Sequence, residues 1–171
     1  MSAPDGPWRT WTGLPAGHAL VALGSNLGDR RAHLDGALAA LDAHRGVTVV
    51  ARSIWHPTAP VGGPAGQGEF LNGAALVTCP LAPEALLELL HDVEHAHGRE
   101  RAVVDGPRTL DLDLLLFGSE RRDGPGLVLP HPRMAGRRFV LAPLAELCPE
   151  LVLDGASVRA RLAAMDAVPS R

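Results

Sequence analysis

Asp111 and Asp113 stand two residues apart in the stretch GPRTLDLDLLLFG, residues 106–118. Leu110, Leu112 and Leu114 alternate with them. A β-strand sends successive side chains to opposite faces, so both carboxylates share one face while the leucines take the other, against a core. Their Cα atoms then lie roughly 6–7 Å apart. Carboxylates at that spacing can bracket one divalent metal, or two metals ~3.5–4 Å apart. Arg108 precedes Asp111 by three residues, at the strand entrance. Metal-binding acids beside a guanidinium suit a substrate that binds both, above all a polyphosphate.

Other arginines flank this strand. Arg99 and Arg101 lie in the loop before it, and His131, Arg133, Arg137 and Arg138 follow it. Arginine is always charged and binds phosphate oxygens in a bidentate fork. Asp111, Asp113, Arg99, Arg101, Arg108, His131 and Arg137 therefore form the leading constellation. All 16 basic residues are arginine, with no lysine. A phosphate loop of the GxxxxGK[ST] kind is thereby excluded, as is Schiff-base chemistry on lysine. No GxGxxG is present, which removes the usual dinucleotide fingerprint.

Two further patterns invite chemistry. His91, Glu94 and His95 form an HxxEH, the spacing of some zinc peptidases, although a solvated helix face carries the same letters. Phe70 and Asn72 share a strand face, where an aromatic and an amide could hold a flat polar ring; an aromatic that merely packs would look the same. Gly24-Ser25-Asn26 reads as a turn as readily as a ligand contact.

The elements that must position these groups follow from pattern. The 171 residues are 46% hydrophobic, enough for one domain with a real core. Net charge is −3, giving no general pull toward nucleic acid. No apolar run approaches a membrane span, and the start has no apolar signal region, so a cytoplasmic protein is expected. Cys79 and Cys148 are isolated and read as reduced thiols. Residues 1–17, rich in Pro and Gly and carrying Trp8 and Trp11, read as an irregular extension, with a single domain over 18–171. Strands are expected at 18–24, 47–55 and 70–78, with a short one at 127–130. Helices are expected over 30–44, from Pro83 to about 97, over 140–147, and somewhere in 152–171. Residues 56–69 hold three prolines and four glycines and read as a long mobile loop without regular structure. The order β-α-β-β-α-β is that of an α+β, ferredoxin-like sandwich.

Taken together, GPRTLDLDLLLFG, ALGSNLGDR, FLNGA, VEHAHGRER and LPHPRMAGRRFVLAPLAELCPEL resemble, in order and over about residues 18–151, the 6-hydroxymethyl-7,8-dihydropterin pyrophosphokinase family. That resemblance implies a three-layer α/β sandwich on the ferredoxin-like frame. It implies transfer of pyrophosphate from ATP to the pterin hydroxymethyl group with release of AMP, in folate biosynthesis. Asp111 and Asp113 match the ligands of two magnesium ions. Glu94, Arg99, Arg101, Arg108, His131 and Arg137 match positions at the ATP, with Arg99 and Arg108 joining the aspartates as catalytic groups. Gly24, Thr58, Phe70, Asn72, Asp111 and Phe139 match the pterin side, with Phe70 and Phe139 as the sandwiching rings. No nucleic acid, membrane or obligate protein partner is implied. One departure stands out: the family usually has an arginine and then a tryptophan or another ring before GPR, and here those places hold Val104 and Asp105. Weaker closure over the pterin and a higher pterin KM are the expected consequence.

Overall fold

The computed structural model describes residues 5–99 and 106–167. At its centre is β1 (His18–Ser25), an almost wholly apolar strand buried on both faces. It pairs antiparallel with β4 (Phe70–Thr78) on one side and β5 (Asp111–Phe117) on the other. β2 (Thr48–Arg52) joins the outer edge of β4, giving the order β2-β4-β1-β5. Each helix crossover therefore skips one strand, with β4 or β1 inserted in the gap. This is the ferredoxin-like arrangement expected from the element order.

Two helices cover one face. α1 (Arg30–Ala43) begins where the Asp29 carboxylate accepts the Ala32 N–H at 3.0 Å. α2 (Pro83–Ala96) begins with proline at its first turn, where no N–H is needed. Leu34, Leu38 and Leu41 of α1 and Leu86, Leu90 and Val93 of α2 pack against Val21, Leu23, Val77, Leu112 and Leu114. Fully burying each such leucine is worth about 1.5–3 kcal/mol. The opposite face is covered by α3 (Arg138–Leu147) and α4 (Val158–Asp166), through Leu141, Leu144, Leu147 and Val158 against Leu20, Leu76 and Leu115. Three layers result, with the sheet in the middle.

Several elements depart from the sequence expectation. His56–Thr58, read as loop, forms β3 and pairs with Phe70–Asn72. Pro57 is tolerated because β3 is an edge strand needing few ladder donors. β2 stops at Arg52, short of the expected 55, and Trp55 turns into the core, with Gly73 leaving room for its ring. Ser25, read as turn, still belongs to β1, one residue beyond the expected strand end at Gly24. The connection after β5 carries β6 (Arg122–Asp123), which pairs with β7 (Val128–Leu129). α3 starts at Arg138, two residues earlier than expected, so Phe139 lies in its first turn. β8 (Val152–Leu153) and β9 (Ala156–Ser157) form a small hairpin ahead of α4. Pro7–Thr10 forms a 3₁₀ turn, and Trp8, Trp11 and Leu14 pack onto the α3/α4 face.

Candidate functional site

The strand register builds the site. Gly24 of β1 is paired with Asn72 of β4 on one side and Asp111 of β5 on the other. One step along, Ala22 is paired with Ala74 and Asp113. The acidic strand and the aromatic-amide strand therefore face the same way, separated by the two smallest side chains of β1. A Cβ added at Gly24 would stand 2.7 Å from Asn72 Oδ1, so this position has no room for a side chain. Above this floor lies a cavity of about 460 Å³. Thr58, Phe70, Asn72 and Phe139 line one part, and Arg99, Arg108, Asp111, Asp113 and Arg137 another.

Charge is arranged around Asp111. Its Oδ1 lies 2.6 Å from Arg99 Nη1, and its Oδ2 accepts from Arg108 Nη1 at 2.8 Å. Asp113 differs. Burial, and then the negative charge of Asp111, push its carboxyl above the usual carboxylate range, while His131, Arg137 and Arg99 oppose the rise. His131 is pushed down, chiefly by burial, with Asp113 opposing. Two adjacent carboxylates, one short of compensating charge, suit a divalent cation. Among the described residues no third His, Cys, Asp or Glu completes a metal site. A pair of carboxylates fits a magnesium-type ion, which takes one or two carboxylates and fills its shell with phosphate oxygens and water.

Glu94 is matched by resemblance to the ATP side, and here it is only 3% exposed. Its Oε1 accepts the N–H of Leu112, the residue between the two aspartates, at 2.7 Å, and it pairs with the Arg99 guanidinium. The HxxEH pattern is thus divided, with Glu94 turned inward while His91 and His95 are exposed. A second hollow, lined by His91, Asp92, Glu94, His95 and Arg99, meets the main cavity at Arg99.

The sequence profile of the 7,8-dihydro-6-hydroxymethylpterin-pyrophosphokinase family matches residues 20–149. The chain belongs to this family. It is 48% identical over 139 residues to the 2-amino-4-hydroxy-6-hydroxymethyldihydropteridine pyrophosphokinase of Bacillus subtilis (strain 168), covering 81% of this chain and 83% of that one. To the protein of the same name from Methylorubrum extorquens it is 44% identical over 148 residues, covering 86% and 93%. A crystal structure of an HPPK-DHPS in complex with substrates superposes with a TM-score of 0.68 at 13% identity, over 88% of this chain. The present chain spans 44% of that longer one, and the likeness is one of fold.

Within this pyrophosphokinase fold, the two walls of the cavity are linked. Asn72 Nδ2 donates to Thr58 Oγ1 at 2.6 Å, which orients the amide. The Arg108 guanidinium carbon lies 5.9 Å from the Phe70 ring centre, and that of Arg137 lies 5.5 Å from the Phe139 ring. Each aromatic thus carries an arginine from the charged wall. Arg101, Val104 and Asp105 lie outside the described residues.

Three residues at or beside the site have no site role assigned from sequence, although Asn26 reads as turn or ligand contact and Arg133 is named in its cluster. Asn26 ties the end of β1 to the GPR turn: its Oδ1 accepts the Arg108 N–H at 2.8 Å and its N–H donates to Arg108 O at 3.1 Å. Its Nδ2 reaches Gln67 Oε1 and Gly68 O of the 59–69 loop. An asparagine directly after a buried strand was the available signal. Arg133 lines the cavity beside Arg137 and stands in the same HPRMAGRR cluster, where spacing did not rank it. Glu146, on α3, has no local signal beyond being a carboxylate in a helix's last turn.

Proposed function

We propose that this protein transfers pyrophosphate from ATP to the hydroxymethyl group of 6-hydroxymethyl-7,8-dihydropterin and releases AMP, a step of folate biosynthesis. The observation that supports this reading is the row Asn72–Gly24–Asp111, which sets the strand of Phe70 and Asn72 one strand away from that of Asp111 and Asp113 on a common cavity floor.

Phe70 and Phe139 stack on the pterin ring, Asn72 hydrogen-bonds its polar edge with Thr58 beside it, and Gly24 lets the ring lie against the strand. Asp111 and Asp113 would hold magnesium, two ions by the family resemblance, and the metal would supply positive charge to offset that of the phosphates. Arg99, Arg101, Arg108, His131 and Arg137 bind the triphosphate. Arg99 and Arg108, which pair with Asp111 here, are placed to interact with phosphate oxygens bound in the same cavity. The nucleoside end lies in the hollow of His91, Asp92 and His95, because Arg99 is shared by both spaces.

The hydroxymethyl oxygen attacks the β-phosphorus and gives up its proton to solvent, the bond between the β-phosphorus and the α,β-bridging oxygen breaks, and AMP leaves with that oxygen. Transfer of this kind needs positioning and charge neutralisation rather than a covalent intermediate. The arginines accordingly act by stabilising the charge that grows on the leaving and transferring oxygens.

The test is product identity. The protein is incubated with ATP, magnesium and 6-hydroxymethyl-7,8-dihydropterin, and the nucleotide products are separated. AMP and pterin diphosphate in equal amounts support the proposal. ADP, which marks ordinary phosphoryl transfer, or no turnover at saturating substrates, which marks a binding protein, overturns it.

A further inference from the structure

The Glu146 carboxylate lies in the last turn of α3, where it opposes the helix dipole and where a solvated acid would be unfavourable. It is not solvated. Its side chain is 23% exposed, and both oxygens are engaged: Oε2 accepts the Ile54 N–H at 2.9 Å, and Oε1 pairs with His56 Nε2. Arg9 of the 3₁₀ turn donates to the Glu146 main-chain oxygen, closing the same helix end.

These partners lead to the cavity. His56 opens β3, and two residues on is Thr58, which holds the Asn72 amide. His56 itself is paired in the sheet with Asn72, and Thr58 with Phe70. Going the other way along α3, Phe139 precedes Glu146 by seven residues. Seven residues are close to two turns, about 10 Å along the axis, so both side chains leave the same helix face. One helix face therefore presents the ring that lines the cavity at one end and the carboxylate that grips β3 at the other.

We propose that Glu146 is a positioning residue: by clamping β3 onto α3 it sets the spacing between Phe139 on one side and Thr58, Asn72 and Phe70 on the other, and so tunes affinity for the flat heterocycle without touching it. This rests on the function proposed above. The clamp is made of Glu146, Ile54, His56 and Arg9, none of which belongs to the Arg99–Asp111–Arg108 ion-pair cluster, so its main effect falls on the heterocycle.

The experiment is two-substrate steady-state kinetics on Glu146→Gln, Glu146→Ala and His56→Ala, with equilibrium pterin binding followed by fluorescence and folding checked by circular dichroism. Gln keeps an acceptor for the Ile54 N–H and loses the charge toward His56, so it serves where Ala fails to fold. The expected result is a pterin KM and dissociation constant raised about tenfold, with the ATP KM within about twofold of the parent. The Glu146→Ala/His56→Ala double variant should be no worse than the more damaging single change. Folded variants with unchanged pterin affinity, or with both KM values moving together, overturn the clamp alone. A parent chain that neither binds nor turns over the pterin overturns the functional reading and the clamp with it.

Discussion

Arg99 Nη1 stands 2.6 Å from Asp111 Oδ1 and is gripped from behind by Glu94, whose carboxylate also takes the Leu112 N–H at 2.7 Å. One buried acid thus fixes both the Arg99 guanidinium beside Asp111 and the backbone between Asp111 and Asp113. The arrangement explains why an acid that looks like part of a solvated HxxEH face is 3% exposed.

Removing that acid should impair the reaction and the fold together. Glu94→Ala leaves the Leu112 N–H without this acceptor, at about 1–3 kcal/mol, and Arg99 without its brace. The expected fall in kcat is about 100-fold, comparable to losing one donor to a developing anion. Glu94→Gln keeps an acceptor for Leu112 and should recover most of the stability but less of kcat. Thermal melts beside steady-state rates check this, and wild-type kcat in the Ala variant would rule it out.

Gly24→Ala sets a methyl group 2.7 Å from Asn72 Oδ1. The amide must shift away from Thr58, and the ring slot narrows. A pterin KM raised about tenfold, corresponding to roughly 1.4 kcal/mol, with a smaller change for ATP is the expected outcome. Kinetics with each substrate varied in turn decides it; an effect confined to ATP contradicts the placement.

Asp113 is held above its ordinary value of 3.8, first by burial and then by Asp111. A raised folded value favours the protonated form, so the ionised form weakens the fold increasingly as pH rises through it. Asp113→Asn should therefore abolish turnover yet raise the melting temperature near neutral pH in metal-free buffer, by roughly 2–4 °C per kcal/mol relieved. Below the unfolded value the gain should vanish. Magnesium with ATP should stabilise the parent and not the variant. Equal melting temperatures across the pH range would refute the origin of the shift.

A second titration lies at the base of the arginine loop. His97, which ends α2, has its Nδ1 3.3 Å from that of His33 on α1. Burial, and then His33, push His97 below the ordinary 6.5. For a histidine kept neutral by the fold, the stability contribution is present above the unfolded value and is lost as pH falls through the lowered folded one. His97→Gln should therefore flatten the stability–pH curve on the acid side of the ordinary 6.5. Urea denaturation at several pH values measures it, and an unchanged slope sinks the assignment.

Much of the fold is written in local periodicity. The β4 span 70–78 is legible from residue pattern, the α1 span to within one residue, and the shared face of Asp111 and Asp113 follows from alternation alone. β3 is not legible, because His56–Thr58 becomes a strand only when Phe70–Asn72 lies beside it. The β5 pattern also misleads after Leu114: the register against β1 slips between Leu114 and Leu116, so Leu115 and Leu116 both join the α3/α4 core. A bulge depends on the partner strand, not on composition.

By itself the sequence determined the groups available to this protein: an acidic pair on one strand face, flanking arginines with no lysine anywhere, and a phenylalanine two residues before an asparagine. Those properties are carried by residue type and by a period of two, which need no partner. Only the tertiary structure decided that Gly24 separates Asn72 from Asp111, that Glu94 faces inward to brace Arg99, and that Glu146 ties the helix of Phe139 to the strand of Thr58. Each of those depends on inter-strand register or helix docking, which is settled by burying apolar faces contributed by segments far apart in the chain.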